Sequence, residues 1–206
     1  HRHNEFMKNN DDSTSQNNWQ QKDLIIDKKF YVYLPISLAP PFILTGLVFH
    51  QIFIITYKGW GIELLASSYI GWGIFSMIGL ILGGPLVDRV NTKKVIPYYL
   101  LPMLFGILFI MLFEHPIFIF PYMALLGITT GLWLPVTGSL WAELYGVKNL
   151  GAIRALFHAC MVFASALSPI TLGLFIDYEF GTFAIGLFCI IIIVCTSYLP
   201  FVFKNR

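Results

Sequence analysis

Charge is what this sequence has least of. Asp, Glu, Lys and Arg together make up 12% of its 206 residues, about half the share a soluble domain carries, roughly 25%. That shortage excludes an ordinary water-soluble fold, and the 57% of hydrophobic residues point to a membrane protein. A net charge of +2, with no basic patch interleaved by aromatics, excludes nucleic acid as a partner. Cysteine is scarce too. Cys160, Cys189 and Cys195 all lie in apolar runs, with no CxxC or Cys/His spacing, so neither a metal site nor a disulfide framework is expected. No cofactor motif occurs, and none is expected. No signal peptide opens the chain; residues 1–29 are polar and read as a disordered cytoplasmic linker. Either Met7 is a true start or the chain is the downstream part of a longer protein.

What is present is long apolar runs. A helix needs about 20 apolar residues to cross a bilayer, and six stretches qualify: about 31–55, 64–87, 95–113, 117–142, 152–176 and 181–203. Backbone groups in hydrocarbon must be satisfied within the segment, and runs this long exclude barrel strands. The expected fold is therefore all-α, integral to the membrane, over residues 30–206. With a cytoplasmic N-terminus, twelve of the 13 Lys and Arg fall on the cytoplasmic side and only Lys58 on the other. The positive-inside bias thus places both termini in the cytoplasm of a plasma or inner membrane.

The spans differ in polarity. Spans three and six are apolar nearly all round and suit lipid-facing positions. Span one carries Pro40, Pro41, Thr45, His50 and Gln51; span four carries Thr129, Thr130, Trp133, Pro135, Thr137, Ser139 and Trp141. Polar side chains at membrane depth face a partner or a watery cavity. Span two closes with GPLVD (Gly84–Asp88) and span five with GLFID (Gly173–Asp177), on opposite sides of the membrane. Both patterns suggest an inverted three-plus-three repeat. Gly79-xxx-Gly83 and Gly127-xxx-Gly131 permit close helix contact, and Pro40-Pro41 should bend span one.

Three charges oppose their helices. Cations such as Arg89, Lys93 and Lys94 suit a helix C-terminus, but Asp88 at the end of span two and Glu143 at the end of span four do not. Arg154, in the first turn of span five, is misplaced in the opposite sense. Pairing across helices, or capping of another helix's N-terminus, would account for them; solvated interface charges are the plainer alternative.

The stretch GGPLVDRVNTKK, residues 83–94, resembles the loop signature of the major facilitator superfamily, matching at Gly84, Leu86, Asp88, Arg89, Lys93 and Lys94. It departs at Asn91, where the signature has glycine; Asn tolerates left-handed backbone better than most residues. The resemblance covers essentially residues 20–206. It implies one six-helix half of a twelve-helix carrier that works by alternating access, with a missing N-terminal half of the same polypeptide as partner. It implies that Asp88 belongs to a cytoplasmic latch, with Glu143 and Arg154 as a second cytoplasmic pair. The polar segment ahead of span one favours the C-terminal half, and PPFILTGLVFHQ resembles carriers near the monocarboxylate and oxalate–formate group.

In that family the first and fourth helices of a half line the substrate cavity. The candidates here are Thr45, Phe49, His50 and Gln51 on span one, and Trp133, Thr137 and Trp141, one face of span four at i, i+4, i+8. His50 reads either as a substrate or proton-coupling group or as a histidine satisfied by a neighbouring helix or water. The two tryptophans read either as a cavity wall or as packing. His158 is assigned to the cytoplasmic network. No Lys or Arg lies at the membrane centre, so the counter-charge for an organic acid anion is expected from the missing half. A complete six-span homodimer or scaffold starting at Met7 is the rival reading. An intramembrane serine protease ranks below it: TGSLW has Leu140 where such enzymes have glycine, span six lacks His, and no HExxH occurs.

Overall fold

The structure, a computed structural model, describes residues 24, 26–148 and 150–204. Nearly all of the expected linker, residues 1–29, lies outside the described residues. The described residues form eight α-helices: α1 (Lys28–Phe49), α2 (Gln51–Tyr57), α3 (Ile62–Val90), α4 (Thr92–Val95), α5 (Leu101–Leu112), α6 (Ile119–Tyr145), α7 (Leu150–Asp177) and α8 (Gly181–Lys204). No strand occurs among the described residues. Five helices (α1, α3, α6, α7 and α8) are long and apolar enough to cross a membrane.

Local chemistry sets where these helices begin and break. α1 starts three residues before the apolar pattern suggests, because the Asp27 carboxylate caps it by accepting from the Lys29 N–H at 3.0 Å. Span one is not one helix but two, broken at His50 (φ −100°, ψ 11°). Span three is also shorter than the expected 95–113. Its regular helix covers Leu101–Leu112, about 18 Å, and residues 96–100 form turns leading from α4. Pro97 lies within those turns and Pro102 just after them; each lacks the N–H that a continuous helix needs.

Pro40 and Pro41 sit inside α1 without breaking it. They leave the carbonyls four residues back, Ile36 and Ser37, without their helical donors. Both are supplied from other helices. The Tyr99 hydroxyl donates to the Ile36 oxygen at 2.6 Å, and the Trp133 indole N–H donates to the Ser37 oxygen at 2.9 Å. An unpaired carbonyl at membrane depth would cost several kcal/mol, so these two bonds let the prolines be accommodated.

The most extensive packing joins α3 to α6, then α1 to α7 and α5 to α6, with α8 against α1 and α5. Both small-residue motifs meet at the α3–α6 contact, as their spacing suggests. A Cβ on Gly79 would lie 2.5 Å from the Ile128 oxygen, and one on Gly127 would lie 2.5 Å from the Trp72 oxygen. Backbone therefore packs on backbone there. Taking the α4–α5 segment as span three, exchange spans one with four, two with five and three with six. Each major pairing then maps onto another or onto itself, although the α3–α6 contact is far more extensive than the α1–α7 contact it maps onto.

Burial follows from this packing. α1 and α6 are the most enclosed long helices, α3 and α7 the least. The expectation that span three is greasy all round because it faces lipid needs correction. Met103, Gly106, Ile107 and Ile110 form a buried stripe on α5, and at Gly106 α5 meets the α6 backbone. Composition cannot distinguish a lipid-facing apolar side from one that packs on another apolar helix.

Candidate functional site

The charged signature and the acids Glu63, Glu114, Asp177 and Glu179 lie at opposite ends of the bundle, as the alternation of the long helices requires. At the acidic end, Lys58 ties two loops together. It donates to the Phe113 carbonyl and to Glu114, both at 3.1 Å, with its side chain 4% exposed. The Trp60 indole donates to the Glu114 carbonyl at 2.8 Å. Lys58–Glu114 is the one ion pair among the described residues.

At the signature end, α3 runs through Asp88 and Arg89 and stops at Asn91, whose φ is +69° and whose side chain accepts from the Lys93 N–H at 3.0 Å. The turn survives the replacement of glycine. Asp88, Arg89, Lys93 and Lys94 are exposed, and a Cβ on Gly84 would meet nothing within 4 Å. Asp88 makes no ion pair or hydrogen bond with another described residue.

Glu143 does not pair with Arg154. Its carboxylate accepts from the Thr92 N–H at 3.1 Å and from the Thr92 hydroxyl. Thr92 is fully buried, and its hydroxyl oxygen also lies 3.0 Å from the Ser139 hydroxyl. An acid at a C-terminus is thus stabilised by the first N–H of another helix, one of the two kinds of compensation its position suggests. Thr92 had no signal of its own as a partner; the misplaced Glu143 pointed to a donor nearby, and Ser139 was marked only by its polarity within span four.

The candidate cavity residues separate into two groups. Thr45, Phe49 and Gln51 line a cavity of about 290 Å³ at the acidic end, with Tyr69, Trp72 and Tyr122. There the Tyr69 hydroxyl donates to the Gln51 carbonyl oxygen. His50 is not part of this wall. Its Nε2 lies 2.9 Å from the Pro169 carbonyl oxygen on α7, a contact with a neighbouring helix. Tyr69 had not been singled out, because one tyrosine in an apolar run carries no pattern.

Trp133, Thr137 and Trp141 line a second cavity of about 480 Å³ at the signature end, between α6 and α7. Arg154 and His158 complete its wall, so His158 belongs with this cavity as well as with the charged end. Packing and wall coincide here. Trp133 bonds to Ser37, the Thr137 hydroxyl donates back to the Trp133 carbonyl at 2.6 Å, and Trp141 packs 5.4 Å from both Phe30 and Phe157.

An all-helical bundle among the described residues, with five helices long and apolar enough to cross a membrane, fits a multi-pass membrane protein. The chain belongs to the Major Facilitator Superfamily, whose family model matches residues 30–205. Members of that family are transporters, not enzymes. No curated protein matches the chain.

Proposed function

We propose that this chain is the C-terminal six-span half of a secondary transporter that moves a small solute across the cytoplasmic membrane by alternating access. The observation that carries the reading is the division of the polar residues of spans one and four between two cavities, one towards each end of the bundle. Alternating access exposes one central site to each side in turn, and polar residues of the same two spans reachable towards either end fit such a cycle. The partner is an N-terminal half of the same polypeptide. α3 and α7 support this, since both present long apolar faces, Ile70, Ile74 and Ile81 on one and Val162, Phe163 and Ile170 on the other. Those faces suit a second bundle as well as lipid.

The signature end is the cytoplasmic one by its Lys and Arg excess. Asp88 is exposed and unpaired within the described residues, as an acid reserved for the facing half would be. In the resemblance to carboxylate carriers the solute is an organic acid anion, with protons as the coupling ion. The test is Asp88→Asn in the whole natural carrier. Turnover should fall severalfold while solute binding stays within about twofold, since the latch acts on interconversion and not on the ligand. Unchanged turnover would sink the latch role.

A further inference from the structure

Thr45 differs from the other threonines in the interior of the long helices. Thr129, Thr130, Thr137, Thr171 and Thr196 each donate to the carbonyl four residues back, the usual way a hydroxyl is satisfied inside a helix. Thr45 makes no side-chain hydrogen bond with a described residue. Two more polar groups on the same cavity wall share that state. Gln51 accepts from Tyr69, but its NH2 group bonds to no described residue. Tyr122, a neighbour of Tyr69 and only 6% exposed, has a hydroxyl with no described partner. About nine in ten buried polar groups have one. None of the three groups is sealed off from open space, and the space they line together is the cavity of about 290 Å³ at the acidic end.

The rest of that wall is apolar. Leu47, Ile54, Leu65 and Leu126 supply aliphatic surface, and Phe49 and Trp72 aromatic surface. Among the described residues, no Asp, Glu, Lys, Arg or His lines it. This composition selects against two kinds of guest. An ion would give up its hydration without meeting a counter-charge. A wholly apolar guest would displace water and leave the three polar groups unpaired. The volume lies near the lower end of the usual range for small-molecule sites, roughly 300–1,000 Å³.

We propose that this cavity binds a small uncharged molecule that carries a hydroxyl or amide group on an apolar body. The Thr45 and Tyr122 hydroxyls and the Gln51 NH2 group hold the polar end, and Phe49, Trp72 and the aliphatic wall hold the body. The inference rests on the carrier reading for access from the acidic side. It does not rest on the solute class taken from the resemblance, since an anion finds no counter-charge in this wall.

The test uses the purified whole protein in detergent, with the native cysteines replaced and a single cysteine at Val48, on the cavity wall. The probe is phenethyl alcohol, and the readout is the rate of maleimide labelling. Saturable protection is expected. Propylbenzene, phenethylamine as its cation and phenylacetate should protect far more weakly. A single cysteine at Tyr198, exposed on α8, should label at an unchanged rate. Tyr122→Phe and Thr45→Val should each raise the half-protecting concentration by about three- to tenfold, the scale of one neutral hydrogen bond. The double variant should shift the preference towards propylbenzene, which a merely damaged fold would not do. Equal protection by propylbenzene makes the cavity a plain apolar slot and overturns the proposal. Equal protection by either ion, or equal slowing at position 198, overturns it too. Protection by phenethyl alcohol in a protein that moves no solute in proteoliposomes would keep the site and remove the carrier reading. Solute flux with no protection at position 48 would do the reverse.

Discussion

Asn91 holds φ at +69° and ψ at 127°, a backbone region that glycine enters freely and residues with a Cβ do not. Its side chain offsets part of that strain by capping the Lys93 N–H. Stability should therefore rank Gly and Asn close together and Ala well below. Asn91→Ala should cost about 1–2 kcal/mol, the loss of a cap with the strain retained, and Asn91→Gly should change stability by less than about 0.5 kcal/mol. Thermal unfolding of the two variants in detergent checks the order; an Ala variant as stable as Asn would contradict it. The signature was legible at this scale from its pattern of residue types, with the Arg89, Lys93 and Lys94 charges and the Asn91 turn each having a local physical reason. His50 was not. Its type and depth fit a proton-coupling group equally well, and only the Pro169 carbonyl at 2.9 Å reveals its partner, 119 residues away in sequence.

Among the elements, α1 is held by donors its own backbone lacks. If the Trp133 bond to the Ser37 oxygen replaces the N–H that Pro41 cannot offer, Trp133→Phe should destabilise by about 1–3 kcal/mol, the cost of an unpaired buried carbonyl. Pro41→Ala should recover much of that loss, because an alanine N–H at 41 can donate to Ser37. Pro40→Ala should not, since it serves Ile36 and Tyr99. A double-mutant cycle on unfolding midpoints measures the coupling; equal rescue by both alanines would refute the pairing. The missing N–H donors of span one were legible from Pro40-Pro41, but the groups that replace them were not. A donor from another helix depends on three-dimensional proximity, and Trp133 carries the same apolar ring whether it walls a cavity or caps a carbonyl. The long spans were readable from hydropathy alone. The interrupted third span was not, because Pro97 and Pro102 change backbone geometry without lowering hydrophobicity.

For the whole molecule, the two cavities carry the account. One lies against Thr45, Phe49 and Gln51, the other against Leu134, Thr137 and Arg154. Polarity singled out spans one and four, which supply all of these residues but Arg154, on span five. It could not separate them into two chambers, because that depends on which neighbours close each end. The most direct test needs no substrate. With the three native cysteines replaced, a single cysteine is placed at Phe49 or at Leu134, both more than half exposed here. Each is labelled by a membrane-impermeant maleimide from either side, with Asp88 intact and with Asp88→Asn. Alternating access predicts opposite changes on loss of the latch: faster cytoplasmic labelling at position 134 and slower external labelling at position 49. Changes in the same direction, or none at either site, would contradict it.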